Sequence, residues 1–182
     1  MIGGLLRVIS SFIPVSEDPD LLQLLYVITD LGLVQGIVGV YLIERKSLSN
    51  SGHMGFAITL CALSFISGPE AEIYGVSAYE IGSLPIGLGI LMFSIAQLQS
   101  GSGHKKGAYV LIGSIVVGVL SILFPSFPQL FVFSGFLFGI GFFINGAYAY
   151  AHSSKHGTSQ QTRNFPFEKD WAVHGTAVSE EK

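Results

Sequence analysis

Apolar positions in this chain do not alternate with polar ones. They run on, five times, for about the length of a bilayer crossing. The runs cover residues 21–43, 54–68, 81–98, 107–124 and 129–151, and consist almost entirely of Leu, Ile, Val, Phe, Ala and Gly. A spanning helix needs about 20 mainly apolar residues, because in lipid every backbone amide must find its partner within the helix. Each run therefore predicts a transmembrane helix. The second is short and is expected to begin near Gly52 or to continue past Pro69. Asp18 before Pro19 reads as a helix cap followed by proline at the first helical position. Ser-Gly-Ser-Gly at 100–103 and Pro-Ser-Phe-Pro at 125–128 separate the later runs.

The opening segment has a different period. Ile2, Leu5, Leu6, Ile9, Phe12 and Ile13 fall at helical spacing, opposite Gly3, Arg7 and Ser10. This predicts a short amphipathic helix within residues 1–16, lying in the headgroup plane. The rival reading, a signal peptide, lacks a basic start and a small-residue cleavage pair. The fold class expected is all-α: a polytopic membrane helix bundle of about five transmembrane helices over residues 17–151, plus the interfacial helix. A polar tail, 152–182, is read as cytoplasmic and mostly disordered. Phe165-Pro166-Phe167, Trp171 and Val173 interrupt it, as a membrane-touching patch or a docking motif.

Composition strengthens this picture. Mean hydropathy is +0.58 and charged residues make up 12% of the chain, about half the usual share. A core of 182 residues cannot hide so much apolar surface from water. A soluble enzyme is excluded on that ground. The single cysteine, Cys61, excludes an internal disulfide, and a net charge of −3 gives no footprint for nucleic acid. The expected partner is the lipid bilayer, with a homo-oligomer or a larger membrane complex beyond it.

Nine basic and 12 acidic residues are present, and one of them, Asp30, lies well inside a run. Threading five spans puts every Lys and Arg except Arg7 on one side. Basic residues mark the cytoplasmic side, so the N-terminus is expected outside and the C-terminus inside, with the cell membrane as the location.

Ser51-Gly52-His53 recurs as Ser102-Gly103-His104, 51 residues later, and the same offset pairs Leu33 with Leu84 and Gly36 with Gly87. A parallel duplication of residues 32–68 and 83–124, with the fifth helix unpaired, accounts for this, and so does coincidence among glycine-rich helices. Glycines also mark packing seams, since small residues let helix backbones approach in lipid. The candidates are Gly32, Gly36 and Gly39 in the first span, Gly118 in the fourth, and Gly135 and Gly139 in the fifth.

Asp30 is the leading chemical candidate, because an ionisable group at membrane depth costs at least ~2.5–3.5 kcal/mol and normally faces protein or water. Tyr26, Val34, Ile37 and Tyr41 share its helical face. Two readings stand: a structural acid held by Tyr26 or by another helix, or a proton or cation relay or substrate anchor. Gln35 and Asn145 would line a path with Asp30 and Tyr26 if their helices adjoin. Gln97, Thr59 and Ser64 are read as interhelical hydrogen-bonding groups. His53, His104, His152 and His156 fall near helix ends without a carboxylate or cysteine to complete a metal pattern. No Walker loop, dinucleotide fingerprint, His-Glu-x-x-His or Gly-x-Ser-x-Gly is present. No enzyme activity, cofactor or metal is therefore expected. The hairpin from Gly107 to Tyr150, glycine-rich helices joined through Phe124-Pro125, resembles the two-span unit of small bacterial acid-resistance membrane proteins; it covers about a quarter of the chain and includes no functional residue. The function expected is passage or coupling of a small solute or proton through the site around Asp30. The alternative is a non-enzymatic accessory or scaffold subunit of a larger membrane complex.

Overall fold

A computed structural model describes residues 1–13, 19–66, 72–73, 76–101 and 105–160. Continuous apolar runs become helices because, Pro85 of α4 apart, nothing in them breaks the i to i−4 ladder. They are α1 (Ile2–Ser10), α2 (Pro19–Glu44), α3 (Asn50–Ile66), α4 (Ala78–Gln99), α5 (Lys105–Leu123) and α6 (Gln129–Gln160). Between α3 and α4 lies a two-residue antiparallel ribbon, β1 (Glu72–Ile73) paired with β2 (Val76–Ser77). The fold is thus an all-helical membrane bundle. Among the described residues, four helices contain segments long and apolar enough to cross a membrane: Gln23–Glu44, Ile81–Gln99, Lys105–Leu123 and Gln129–His152. The fifth expected span, α3, is shorter, at 17 residues.

The bundle comprises Met1–Ala149; a second unit, Tyr150–Lys182, begins with the last turns of α6. That helix runs on to Gln160, so the chain does not leave helix at His152 as the polar composition predicted. The Phe165–Val173 cluster lies outside the described residues, as do Asp18 and Ser102–His104. Pro19 opens α2 as expected. Ser51-Gly52-His53 sits inside α3, whereas α5 starts only at Lys105. The first helices of the two hairpins, α2 and α4, end at Glu44 and Gln99, an offset of 55 rather than 51, so helix ends and repeat register differ by one turn.

Leu33, Ile37, Leu63, Ile90, Phe93, Leu111 and Phe142 form the core, while Leu24, Leu31, Val116, Ile122 and Phe131 cover the outside. An apolar exterior is the surface a bilayer solvates. Lipid tails are as apolar as the core, so association rests on close packing rather than on water exclusion. The most extensive seam joins α3 to α4, antiparallel. A methyl placed on Gly55 would stand 2.6 Å from the Phe93 nitrogen, and one on Gly89 would stand 2.7 Å from the Thr59 nitrogen. Gly52 meets the Ala96 side chain in the same way, one turn from Gly55.

α1 forms, and it packs lengthwise on α2 and α6. Gly3 packs on the backbone of Gly32 and Leu33, Gly4 on that of Gly139 and Phe143, and Met1 on Gly146. Ser11 reaches Gly135, and the Phe12 ring meets Phe136 edge-on at 5.6 Å. Along α6 these contacts descend as α1 ascends, so α1 runs antiparallel to α6 and stands along the bundle. The reason is visible in its two faces. Gly3 and Ser10, from the face read as polar, are buried against protein together with Gly4, and Ile2, Leu5, Ile9 and Phe12 point outward. The amphipathic pattern is real, with protein in the place expected for water.

Candidate functional site

Six helices meet around a cavity of about 280 Å³. That is close to the low end of small-molecule pockets, ~300–1,000 Å³. Each helix contributes: Arg7 from α1, Asp30 from α2, Leu63 from α3, Ser83 from α4, Ser114 from α5 and Ser134 from α6. Aliphatic and phenylalanine side chains make up most of the remaining wall. Among the lining residues Arg7 and Asp30 are the two that carry charge, of opposite sign, and each lies within the other's field. Docking of α1 brings Arg7 there, since Arg7 lies one turn beyond Gly3, the residue seated on Gly32. The Arg7 guanidinium also lies over the Tyr26 ring, 6.0 Å from its centroid, a cation–π distance.

The polar walls are mostly acceptors. Ser114 Oγ donates to the Leu111 carbonyl at 2.7 Å, Ser121 Oγ to Gly118 at 2.7 Å, and Ser134 Oγ to Ser114 at 2.8 Å. With those protons committed to backbone, the hydroxyl oxygens retain lone pairs. Pro85, inside α4 beside the cavity, has no N–H for the Ile81 carbonyl, so that turn of helix lacks one of its bonds.

Of the residues expected to share a path, Asp30 and Tyr26 come together through Arg7. Gln35 is exposed on the outer surface of α2 and Asn145 lies elsewhere. The Asn145 side chain packs against Gly107 at the start of α5, buried, with its Oδ1 unmatched. Asp30 itself is half-buried, the eighth residue of the 22 in its span. The glycines also divide. Gly32 and Gly139 seat α1, Gly36 meets the Phe142 ring at 3.7 Å, Gly118 lies against Ser134, and Gly135 faces Ser11; Gly39 meets nothing within 4 Å.

A second polar cluster was not anticipated as one. Glu44, the last residue of α2, is 3% exposed. Gln97 of α4, 1% exposed, donates from Nε2 to Glu44 Oε2 at 2.7 Å. Glu44 Oε1, Gln97 Oε1 and Ser94 Oγ are buried without a partner. An acid at a helix C-terminus opposes the helix dipole, and that was the available signal. Nearby, the Tyr41 hydroxyl and His53 Nδ1 share a hydrogen bond of 3.1 Å, and Tyr41 stacks on Phe56 at 3.8 Å. Among the described residues no three His, Cys, Asp or Glu side chains gather as a metal site.

No protein-family model matches this chain, and no curated protein or solved structure matches it either.

Proposed function

We propose that this protein passes or couples a small solute or proton across the membrane, using the cavity around Asp30 and Arg7. The observation that carries the reading is a pair of opposite charges lining one cavity to which all six helices contribute. Charged groups at membrane depth are costly, and where they occur they commonly mark ion or substrate pathways. Acceptor oxygens on three serines suit a proton, a cation or a solute that brings hydrogen-bond donors. The membrane is the cell membrane. The ends of α2 and α4 and the C-terminus face the cytoplasm, because Arg45, Lys46, Lys105 and Lys106 gather at that end. The Pro19 end of α2 faces outside.

Reconstituted vesicles test the reading directly. Proton flux under an imposed pH gradient and uptake of a panel of small cationic and zwitterionic solutes are measured for wild type, Asp30→Asn and Arg7→Ala. Wild type carries one of these above the level of empty vesicles. Asp30→Asn returns it to that level, and Arg7→Ala lowers it about tenfold or more, a difference of about 1.4 kcal/mol. Wild-type flux equal to that of empty vesicles for every probe overturns the proposal.

A second reading, an accessory or scaffold subunit, has its own support in Gly39 and Gly113, which meet nothing within 4 Å in this chain. Glycine weakens a helix, so one that packs nothing at home leaves room for a neighbouring helix. Co-purification of a stoichiometric membrane partner, lost in Gly39→Leu with Gly113→Leu, supports that reading. A monodisperse single chain in mild detergent counts against it.

A further inference from the structure

We infer that Glu44 and Gln97 form a proton-binding site, separate from the Asp30 cavity, in which an un-ionised Glu44 carboxyl and the Gln97 amide close a two-bond ring. The argument is one of hydrogen-bond inventory. Gln97 Nε2 donates to Glu44 Oε2 at 2.7 Å, and the two remaining oxygens, Glu44 Oε1 and Gln97 Oε1, are both buried without a donor. An ionised carboxylate and an amide oxygen are both acceptors, so neither can satisfy the other. Turning the amide over would set Gln97 Oε1 against Glu44 Oε2, two acceptors at hydrogen-bond distance, and that arrangement too calls for a proton on the carboxyl. One proton on Glu44 Oε1, donated to Gln97 Oε1, satisfies both orphans with the amide as it stands. The pair then carries no net charge, at a place where isolated charge is expensive.

The charged surroundings leave this role to the amide. On α2 and the turn after it the titratable neighbours in sequence are Tyr41, Arg45 and Lys46; Arg45 and Lys46 are exposed. From α3, His53 shares its hydrogen bond with Tyr41. From α4 the groups on the Glu44 side are Gln97 and, one turn earlier, Ser94, neither of which titrates. Lys105 and Lys106 at the start of α5 are exposed. Among the described residues, Gln97 is the side chain that meets the Glu44 carboxyl.

Glu44 lies 14 residues beyond Asp30 on the same helix. That is about 21 Å along its axis, at the opposite end of the bundle from the cavity. Release of the proton breaks one of the two bonds and leaves Glu44 Oε1 and Gln97 Oε1 buried without a donor. Proton release therefore requires water to enter there or the two helices to part.

Infrared spectra of purified protein in lipid, titrated from about pH 6 to about pH 9, read the carboxyl directly. Wild type shows a protonated-carboxyl band at neutral pH that shifts in D₂O. The band persists in Asp30→Asn and is absent in Glu44→Gln. Thermal stability gives an independent arm: wild type melts lower as pH rises, and Glu44→Gln has a shallower slope, because an amide at 44 donates to Gln97 Oε1 at every pH. Should Glu44→Gln fail to fold, ¹³C-glutamate labelling of wild type must move the band. A band unmoved by that label, or still present in Glu44→Gln, overturns the proposal. So does stabilisation by sodium over choline at constant pH, which would make the occupant an alkali ion. None of these readouts depends on flux, so they stand or fall apart from the Asp30 reading.

Discussion

At the scale of single residues, glycine is where position matters most, because a methyl group is enough to separate two helices. Gly89 and Gly39 occupy comparable helix interiors and differ in surroundings. A methyl on Gly89 would lie 2.7 Å from the Thr59 nitrogen and 2.8 Å from the Gly55 carbonyl oxygen, both backbone atoms that cannot step aside. A methyl on Gly39 meets nothing within 4 Å. Gly89→Ala is therefore expected to cost about 1–3 kcal/mol through overpacking. Gly39→Ala is expected to be neutral or to gain up to about 1 kcal/mol from helix propensity. Reversible unfolding in mixed micelles measures both. A Gly89→Ala protein as stable as wild type would mean that the α3–α4 seam has room the geometry denies. Sequence spacing alone ranks these two glycines alike, or favours Gly39, which sits in a regular stripe with Gly32 and Gly36. What separates them is the partner helix, and that is tertiary information.

At the scale of elements, the same limit explains what could be read from the chain and what could not. The existence and approximate ends of α2, α4 and α5 were legible because lipid demands long apolar runs and the breakers between them are explicit. The start of α6 was equally legible. Its extension to Gln160 was not, since Ser153, Lys155 and Thr158 carry no apolar signal and yet do not forbid helix. α1 was legible as a helix and illegible in its partners, because glycine, serine and arginine opposite a greasy face look the same whether they meet water or protein. Asp30 was found through its charge inside an apolar run. Its partner Arg7 was not, because the two are 23 residues apart and come together only when α1 docks. This dependence makes a prediction. Gly4 touches the backbone of Gly139 and Phe143, so Gly4→Leu should lift α1 off α6 and withdraw Arg7 from the cavity. Flux in Gly4→Leu is then expected to fall about tenfold, as in Arg7→Ala, and combining the two should add little, because each removes the same charge. Leu5→Ala, an outward-facing change on the same helix, leaves flux unchanged. Fully additive losses in the double variant would show that α1 acts on the site by a route other than Arg7.

At the scale of the whole molecule, topology turns on α3, the one apolar helix among α2–α6 that falls below the usual spanning length. Its 17 residues extend about 25 Å, a little short of a ~30 Å hydrocarbon core. If α3 merely dipped into the bilayer, the connections on its two sides would share a compartment and the basic ends of α2 and α4 would fall on opposite faces. The packing argues otherwise. Gly52, near the start of α3, meets Ala96 near the end of α4, and Ile66 at the end of α3 meets Gly82 near the start of α4. A helix that keeps contact with its antiparallel neighbour from end to end is carried across by that neighbour, and α4 contains a 19-residue apolar span. Single cysteines introduced into a Cys61→Ser background test this. Ser77→Cys and Ser126→Cys are expected to react with a membrane-impermeant maleimide in intact cells, and Ser47→Cys only after permeabilisation. Labelling of Ser47→Cys and Ser77→Cys from the same side would remove α3 from the count of spans. It would also split the basic residues between the two faces, and with them the charge asymmetry on which the orientation rests.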